Sequence, residues 1–146
     1  MYYINRFEIK CLHFIPSFIS ESGYYMYLKS KVRPNGNKAA ILSQNFNISQ
    51  EACFTFWYHM YGSTVGSLNV YIEVDGLKNN TWNVTGDQGD TWHRTALNID
   101  TQKVFVIIFE GIHGNGNFSD IALDDIMLTL GTCAGNFYYI SQKSWR

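Results

Sequence analysis

Between Cys53 and Tyr61 the chain alternates with a period of two. Phe54, Phe56, Tyr58 and Met60 fall on one side, and Thr55, Trp57, His59 and Tyr61 on the other. A helix repeats every 3.6 residues and would scatter that apolar set, whereas a strand turns successive side chains to opposite faces. After Gly62-Ser-Thr-Val-Gly66 a second run returns, with Leu68, Val70, Ile72 and Val74 opposite Asn69, Tyr71 and Glu73. Two alternating runs joined by a short glycine-flanked turn are the signature of a half-buried antiparallel sheet.

The rest of the chain continues that theme. Gly23 to Leu28 predicts a short strand, Arg33-Pro-Asn-Gly-Asn37 a turn, and Ala39 to Leu42 the start of another strand. Asp75-Gly76 and Asn79-Asn80 punctuate a loop before a short strand around Trp82, and Gly86 to Asp90 is a polar turn. Trp92 to Ile99 reads as a strand. Val104 to Phe109 is apolar on both sides, as a central covered strand requires. Gly111 to Asn117 reads as a loop, and residues 120–128 as the last clear strand. Residues 1–21 fit no element, and after Cys133 no pattern remains. About eight strands with turn signals between them, and no helical pattern, predict an all-β sandwich or jelly roll. The 146 residues suit one domain, and the ten Tyr, ten Phe and four Trp supply the bulky side chains such a core needs.

Charge and targeting signals narrow the function. A net charge of -1 leaves no electrostatic footprint for nucleic acid or an anionic membrane. No apolar run reaches the ~18 residues of a membrane span. Arg6 and Lys10 precede the apolar stretch from Leu12 to Ile19, but Glu8, His13 and Pro16 break the pattern of a signal peptide. A secreted-type domain without a leader predicts a fragment or a truncated gene product. The three cysteines allow one pair and leave one over. Four Asn-x-Ser/Thr triplets begin at Asn47, Asn79, Asn83 and Asn117, all in stretches that read as loops or strand ends, where N-glycosylation operates.

Catalytic patterns are missing. His59, His93 and His113 stand in no H-E-x-x-H motif and beside no nucleophile motif. Gly86-Asp-Gln-Gly-Asp90 lacks the spacing of a calcium loop, and Gly114-Asn-Gly116 lacks the strand-to-helix setting of a phosphate loop. His59 and His93 are expected to decorate strand faces. Trp57, Trp82 and Trp92 are expected in core or inter-strand packing rather than on a ligand platform.

In chain order, the motifs resemble a MAM domain. They are Gly23-Tyr-Tyr-Met-Tyr27, Ala40-Ile-Leu-Ser43, Cys53-Phe-Thr-Phe-Trp-Tyr-His-Met-Tyr-Gly62 and Gly66-Ser-Leu-Asn-Val70. Gly86-Asp-Gln-Gly89 with Trp92, Phe109-Glu-Gly111 with Gly114 and Gly116, and Asp120-Ile-Ala-Leu-Asp-Asp-Ile126 with Gly131-Thr-Cys133 complete the run. The resemblance covers about residues 22–133, setting apart an atypical segment 1–21 and a tail 134–146.

The resemblance implies an antiparallel β-sandwich of jelly-roll type and an extracellular module, secreted or in the ectodomain of a membrane protein. It implies cell-adhesion or assembly work: homophilic contacts, oligomerisation or folding of neighbours, with no enzymatic activity and no required cofactor. It also implies a disulfide between Cys53 and Cys133, which closes a loop of ~80 residues and is worth about 4–5 kcal/mol by loop-closure entropy. The family usually opens with two cysteines and an acidic residue after the first. Here residues 1–21 hold Cys11 alone, which is expected to have no partner in this chain. If the opening strand is missing, a sheet edge stands exposed and the chain tends to aggregate.

Asp124-Asp125 is the notable acidic pair. On a regular strand Asp124 would share a face with Ala122 and Ile126, and Asp125 with Ile121 and Leu123, so one carboxylate would enter an apolar face. The pair serves either as ligands of a structural Ca²⁺ or Na⁺, as in some members of the family, or as caps of loop amides and partners of a nearby Arg or Lys. Two acids fall well short of the 6–8 oxygens Ca²⁺ takes. A protein partner is the leading expectation, with residues Tyr61 to Val65 as a candidate contact loop. The alternative is a lectin-like carbohydrate-binding jelly roll, which rests on fold analogy alone.

Overall fold

The structure is a computed structural model that describes residues 8–10, 25–28, 36, 38–116, 120–134 and 138–139. Within these residues the chain forms strands and no helix. One sheet holds β1 (Glu8–Lys10), β2 (Tyr25–Leu28), β9 (Asp120–Leu130), β4 (Ala52–Tyr61) and β7 (His93–Ile99) in that spatial order, with β10 (Tyr138–Tyr139) also on β9. The other orders β3 (Lys38–Leu42), β8 (Phe105–Ile112), β5 (Ser67–Val74) and β6 (Leu77–Thr85). Every pairing is antiparallel. The architecture is the expected all-β sandwich.

The period-two pattern explains which side chains meet in the middle. Phe54, Phe56, Tyr58 and Met60 of β4 enter the core with Ile121, Leu123 and Leu128 of β9. Ile41, Leu68, Val70, Ile72, Phe105, Ile107 and Phe109 enter it from the second sheet. The aromatic centre is tight: Phe56 meets Phe109 edge-on at 4.9 Å and Trp82 at 5.3 Å between ring centroids, and Tyr58 meets Trp82 at 5.1 Å. Edge-to-face pairs of this kind add roughly 0.5–1.5 kcal/mol each beyond their buried area. β8 lies between β3 and β5: Phe105, Ile107 and Phe109 face the core, and on the opposite face Ile108 is buried between its register neighbours Leu42 and Tyr71, while Val106 and Glu110 on that face stay partly exposed.

Three differences from the sequence reading have physical causes. Residues 8–10 form β1 against β2, although so short a piece shows no periodicity. β6 is nine residues long rather than a brief strand at Trp82, because an edge strand tolerates the polar run 78–81. Asp75 and Gly76 are the two central residues of a hairpin turn, at φ 52° and 77°, the positive values that match the twist of β5 and β6. The Lys103 ammonium holds the Asp75 carboxylate at this turn.

Cys53 and Cys133 form a disulfide that bridges a sequence separation of 80 residues with Cα atoms 4.8 Å apart. It ties the start of β4 to the turn after β9, where Cys53 is in register with Thr129 and Asn98. Neighbouring bonds fix the same corner. The Cys133 amide donates to Asn98 Oδ1 at 2.7 Å, and the Gly131 amide to the Glu51 carbonyl at 2.8 Å. Cys11, the sequon at Asn117 and most of segments 1–21 and 134–146 lie outside the described residues.

Candidate interaction surface

The acidic pair sits at an irregularity in β9. Thr55 of β4 is in register with Met127, but Trp57 is in register with Asp124, so Phe56 faces two residues of β9 instead of one. This is a β-bulge, and Asp125 is its left-handed residue at φ 46°. The bulge resets the alternation. Ile126 packs against the core with Leu128, and Asp125 is exposed. The regular-strand expectation is therefore corrected: Asp124 does not share a face with Ile126, and neither carboxylate enters the core.

Asp124 lies on the outer face, half-buried. Its Oδ1 accepts the Asp125 amide at 2.8 Å, so one of its oxygens caps the bulge. Burial of the carboxylate raises its pKa above the ordinary range and the Asp125 charge adds to this, while the amide bond opposes both. Among the described residues, no group of three or more His, Cys, Asp and Glu side chains gathers to hold a metal ion. The donor set at Asp124 and Asp125 fits a backbone cap better than a cation site.

Around Asp124 the outer face of the larger sheet is aromatic. Tyr27, Ala122 and His59 form one row across β2, β9 and β4, and Trp57 of β4 is in register with Arg94 of β7. Ala122 is small, and the rings of β2 and β4, the strands on either side of it, are joined through Trp92 of the loop before β7. Tyr25 contacts Trp92 edge-on with centroids 5.9 Å apart, Trp92 contacts His59 at 5.4 Å, and Tyr25 contacts Tyr27 at 6.0 Å. Ala122 itself is 5% exposed. His59 Nε2 lies 3.1 Å from Asp90 Oδ1, and Tyr61 extends the patch at 51% exposure.

The loop that carries Asp90 and Trp92 is held by its own backbone and side chains. The Gln88 amide donates to the Met60 carbonyl at 2.8 Å, and Asp87 Oδ1 accepts the Gly89 amide at 2.9 Å. His93 Nε2 lies 2.9 Å from the Gln88 carbonyl, and its ring stacks on Tyr58. The aromatic platform is thus presented by a sheet and a pinned loop, which keeps the ordering cost of a contact low.

The outer face of the smaller sheet is different. There Glu110 Oε1 receives Lys38 Nζ at 3.4 Å, the Tyr71 hydroxyl at 3.2 Å and Asn69 Nδ2 at 3.4 Å. Burial, with the Glu110 charge and hydrogen bond, raises the pKa of Tyr71. These groups satisfy one another, and among the described residues this face offers no comparable aromatic patch.

Sequence reasoning placed Trp82 in packing, where the structure has it. Trp92 packs between the rings of Tyr25 and His59, the inter-strand packing expected of it, and stays 36% exposed on the outer face. Of the loop from Tyr61 to Val65, Tyr61 is available but Val65 is buried in the core. Tyr25, Tyr27 and Asp90 were not foreseen, because their juxtaposition depends on distant segments coming together: His59 and Asp90 are 31 positions apart, and Tyr27 meets Ala122 across β2 and β9.

The sequence motifs, the sandwich and the clamped corner all fit one family, and comparison with known proteins agrees. The profile of the family described as MAM domain, meprin/A5/mu matches residues 11–134. The chain belongs to the MAM domain family. The match starts at Cys11, inside the segment 1–21 that the sequence reading had set apart. Among its relatives, MAM domain-containing glycosylphosphatidylinositol anchor protein 2 of Mus musculus is 40% identical over 128 residues, 79% of this chain and 14% of that protein. MAM domain-containing glycosylphosphatidylinositol anchor protein 1 of Gallus gallus is 38% identical over 116 residues, 76% of this chain and 12% of that protein. MAM domain-containing protein 2 of Mus musculus is 40% identical over 116 residues, 77% of this chain and 17% of that protein. This MAM domain therefore spans a small part of the length of these relatives. Among solved structures, a Family 16 Carbohydrate Binding Module-2 superimposes with a TM-score of 0.48 at 13% identity, covering 76% of this chain and 78% of the other. No helix of the described residues is long and apolar enough to cross a membrane.

Proposed function

We propose that this MAM domain is a non-catalytic module for protein–protein contact outside the cell, in adhesion or oligomerisation. Its contact surface is the aromatic outer face of the larger sheet. The observation that carries the reading is the run of rings from Tyr27 through Tyr25 and Trp92 to His59, next to exposed Tyr61. Tyr and Trp are enriched at interfaces because each offers a large area at a low cost in rotamer entropy. A rigid sheet beneath them and a disulfide clamp at one end suit a domain that works in an oxidising compartment. The partner is another ectodomain or a second copy of this module.

The test is bead aggregation and sedimentation of the oxidised domain, secreted from a eukaryotic host behind an added signal peptide. Homophilic aggregation by the native chain, lost in Trp92→Ala with Tyr61→Ala, supports the reading. Aggregation unchanged in that variant overturns the choice of face. Saturable, competable binding of a sugar on a glycan array, with no protein–protein association, replaces the reading with the carbohydrate-binding one.

A further inference from the structure

Two of the sequons lie on a single edge strand, and a bulge between them sets their directions. β6 ends the smaller sheet, and among the described residues no strand pairs with its other side. At nine residues it is longer than the other sheet-edge strands β3, β7 and β1, of five, seven and three. It carries no proline and one charge, Lys78. With Lys78 and one bulge as its guards, so long an edge still offers a template for pairing with another chain.

Asn79 and Asn83 are an even number of positions apart, so a regular strand would point them the same way. The pairing with β5 shifts between Val70 and Tyr71: Val70 faces Trp82 and Tyr71 faces Asn80, which leaves Thr81 as an extra residue. Residues directly opposite in an antiparallel pair point to the same side. Asn83 is in register with Asn69 and follows it to the outer side. Asn79 is in register with Ile72, a core residue, and follows it to the inner side. That inner side is open at the margin of the sandwich: Leu77, in register with Val74, is 71% exposed, and Asn79 is exposed as well. Within the described residues neither Asn79 nor Asn83 spends its side-chain amide on a hydrogen bond, whereas Asn80 between them bonds Tyr71.

We propose that Asn79 and Asn83 are both N-glycosylated, and that the bulge at Thr81 makes the two glycans straddle the β6 edge from opposite faces and block strand addition there. The proposal rests on the extracellular reading, because the modification occurs on the secretory route. In the transfer step, Nδ2 of each asparagine attacks the anomeric carbon of a lipid-diphosphate-linked oligosaccharide. The C1–N bond forms as the C1–O bond breaks, the amide releases one proton, and the lipid diphosphate leaves with the electron pair. The hydroxyls of Thr81 and Thr85 complete the two acceptor triplets. Bulky, solvated chains on both sides of one edge exclude a second strand while leaving the aromatic face of the other sheet accessible.

The experiment is glycopeptide mapping of the secreted, oxidised domain, followed by light scattering and hydrogen exchange of the native chain against Asn79→Gln, Asn83→Gln and the double variant. The expected result is occupancy at both sites and, in the double variant alone, oligomers of at least twice the monomer mass whose β6 amides become protected. Trimming the glycans enzymatically to a single sugar on the already folded protein is expected to produce the same oligomers, which removes any dependence on how the variants fold. Glycan at Asn47 with Asn79 and Asn83 empty overturns the proposal and leaves the extracellular reading standing. No glycan at any site, with Cys53 and Cys133 as free thiols, overturns both. Occupied sites whose loss leaves mass and β6 exchange unchanged overturn the edge-blocking role.

Discussion

Gly66 and Gly114 pass backbone against backbone. A Cβ on Gly66 would lie 2.8 Å from the Gly114 nitrogen and 1.9 Å from the Ile112 carbonyl oxygen. A Cβ on Gly114 would lie 2.8 Å from the Gly66 nitrogen and 1.9 Å from the Thr64 carbonyl oxygen. The loop after β4 and the loop after β8 cross here, where no side chain fits. Gly66→Ala and Gly114→Ala are each expected to destabilise by about 1–3 kcal/mol or more, because main chain rather than a flexible side chain must move. Urea unfolding of the oxidised domain measures this, and a loss below about 0.5 kcal/mol in both variants would contradict the close approach.

The Cys53–Cys133 bond closes most of the domain into one loop. Replacing both cysteines by alanine is expected to lower stability by about 2–5 kcal/mol, and reduction of the native chain to do the same. The two effects are expected not to add, since the reduced native chain and the double variant lack the same crosslink. Thermal unfolding with and without reductant checks both statements.

Asp124 gives a pH dependence with a definite sign. Its folded-state pKa is raised above the ordinary 3.8, mainly by burial. The folded chain therefore holds the proton more tightly than the unfolded chain. This group favours folding fully below the ordinary pKa, and its contribution declines as pH rises through the raised value. Asp124→Asn keeps an oxygen for the Asp125 amide and removes the charge. At pH 7 it is expected to match or exceed the native stability by less than about 1 kcal/mol, discounted for partial exposure. The difference is expected to vanish near pH 3, in urea unfolding repeated across pH. Millimolar Ca²⁺ is expected to leave the native melting temperature unchanged.

The bulge residue separates backbone effects from charge. Asp125 has φ 46°, which glycine adopts without cost and a β-branched residue resists. Asp125→Gly is expected to be neutral or slightly stabilising, and Asp125→Val to cost roughly 1–2 kcal/mol. Equal stability of the two variants would show that the bulge relaxes when Asp125 is lost.

The strands richest in apolar alternation were legible in the sequence. Phe54, Phe56, Tyr58 and Met60 point inward as their spacing requires, and so do Leu68, Val70 and Ile72. Where periodicity is interrupted by one residue, the reading failed. Counting by twos through Asp124 and Asp125 puts an acid toward Ile121 and Leu123, and only the pairing of Thr55 with Met127 and Trp57 with Asp124 reveals the extra residue. At Thr81 a second bulge likewise turns Asn79 and Asn83 to opposite sides, which no pattern within β6 records. Polar β6 and the two- and three-residue strands β10 and β1 were illegible for a related reason. Their place is fixed by hydrogen bonds to neighbours rather than by side-chain pattern.

By itself the sequence determined the class of fold, the apolar faces of β4 and β5, and the family. These follow from local alternation and from residue types in a fixed order. The tertiary structure decided what lies side by side. It brought Tyr25 to Trp92 across β9 and β4, left Trp92 outside the core, turned Ile126 inward past Asp125, and set Asn79 and Asn83 on opposite faces of one edge. The physical reason is that register is a property of two strands. A single inserted residue flips every side chain beyond it, and no pattern within one strand records where its partner's bulge falls.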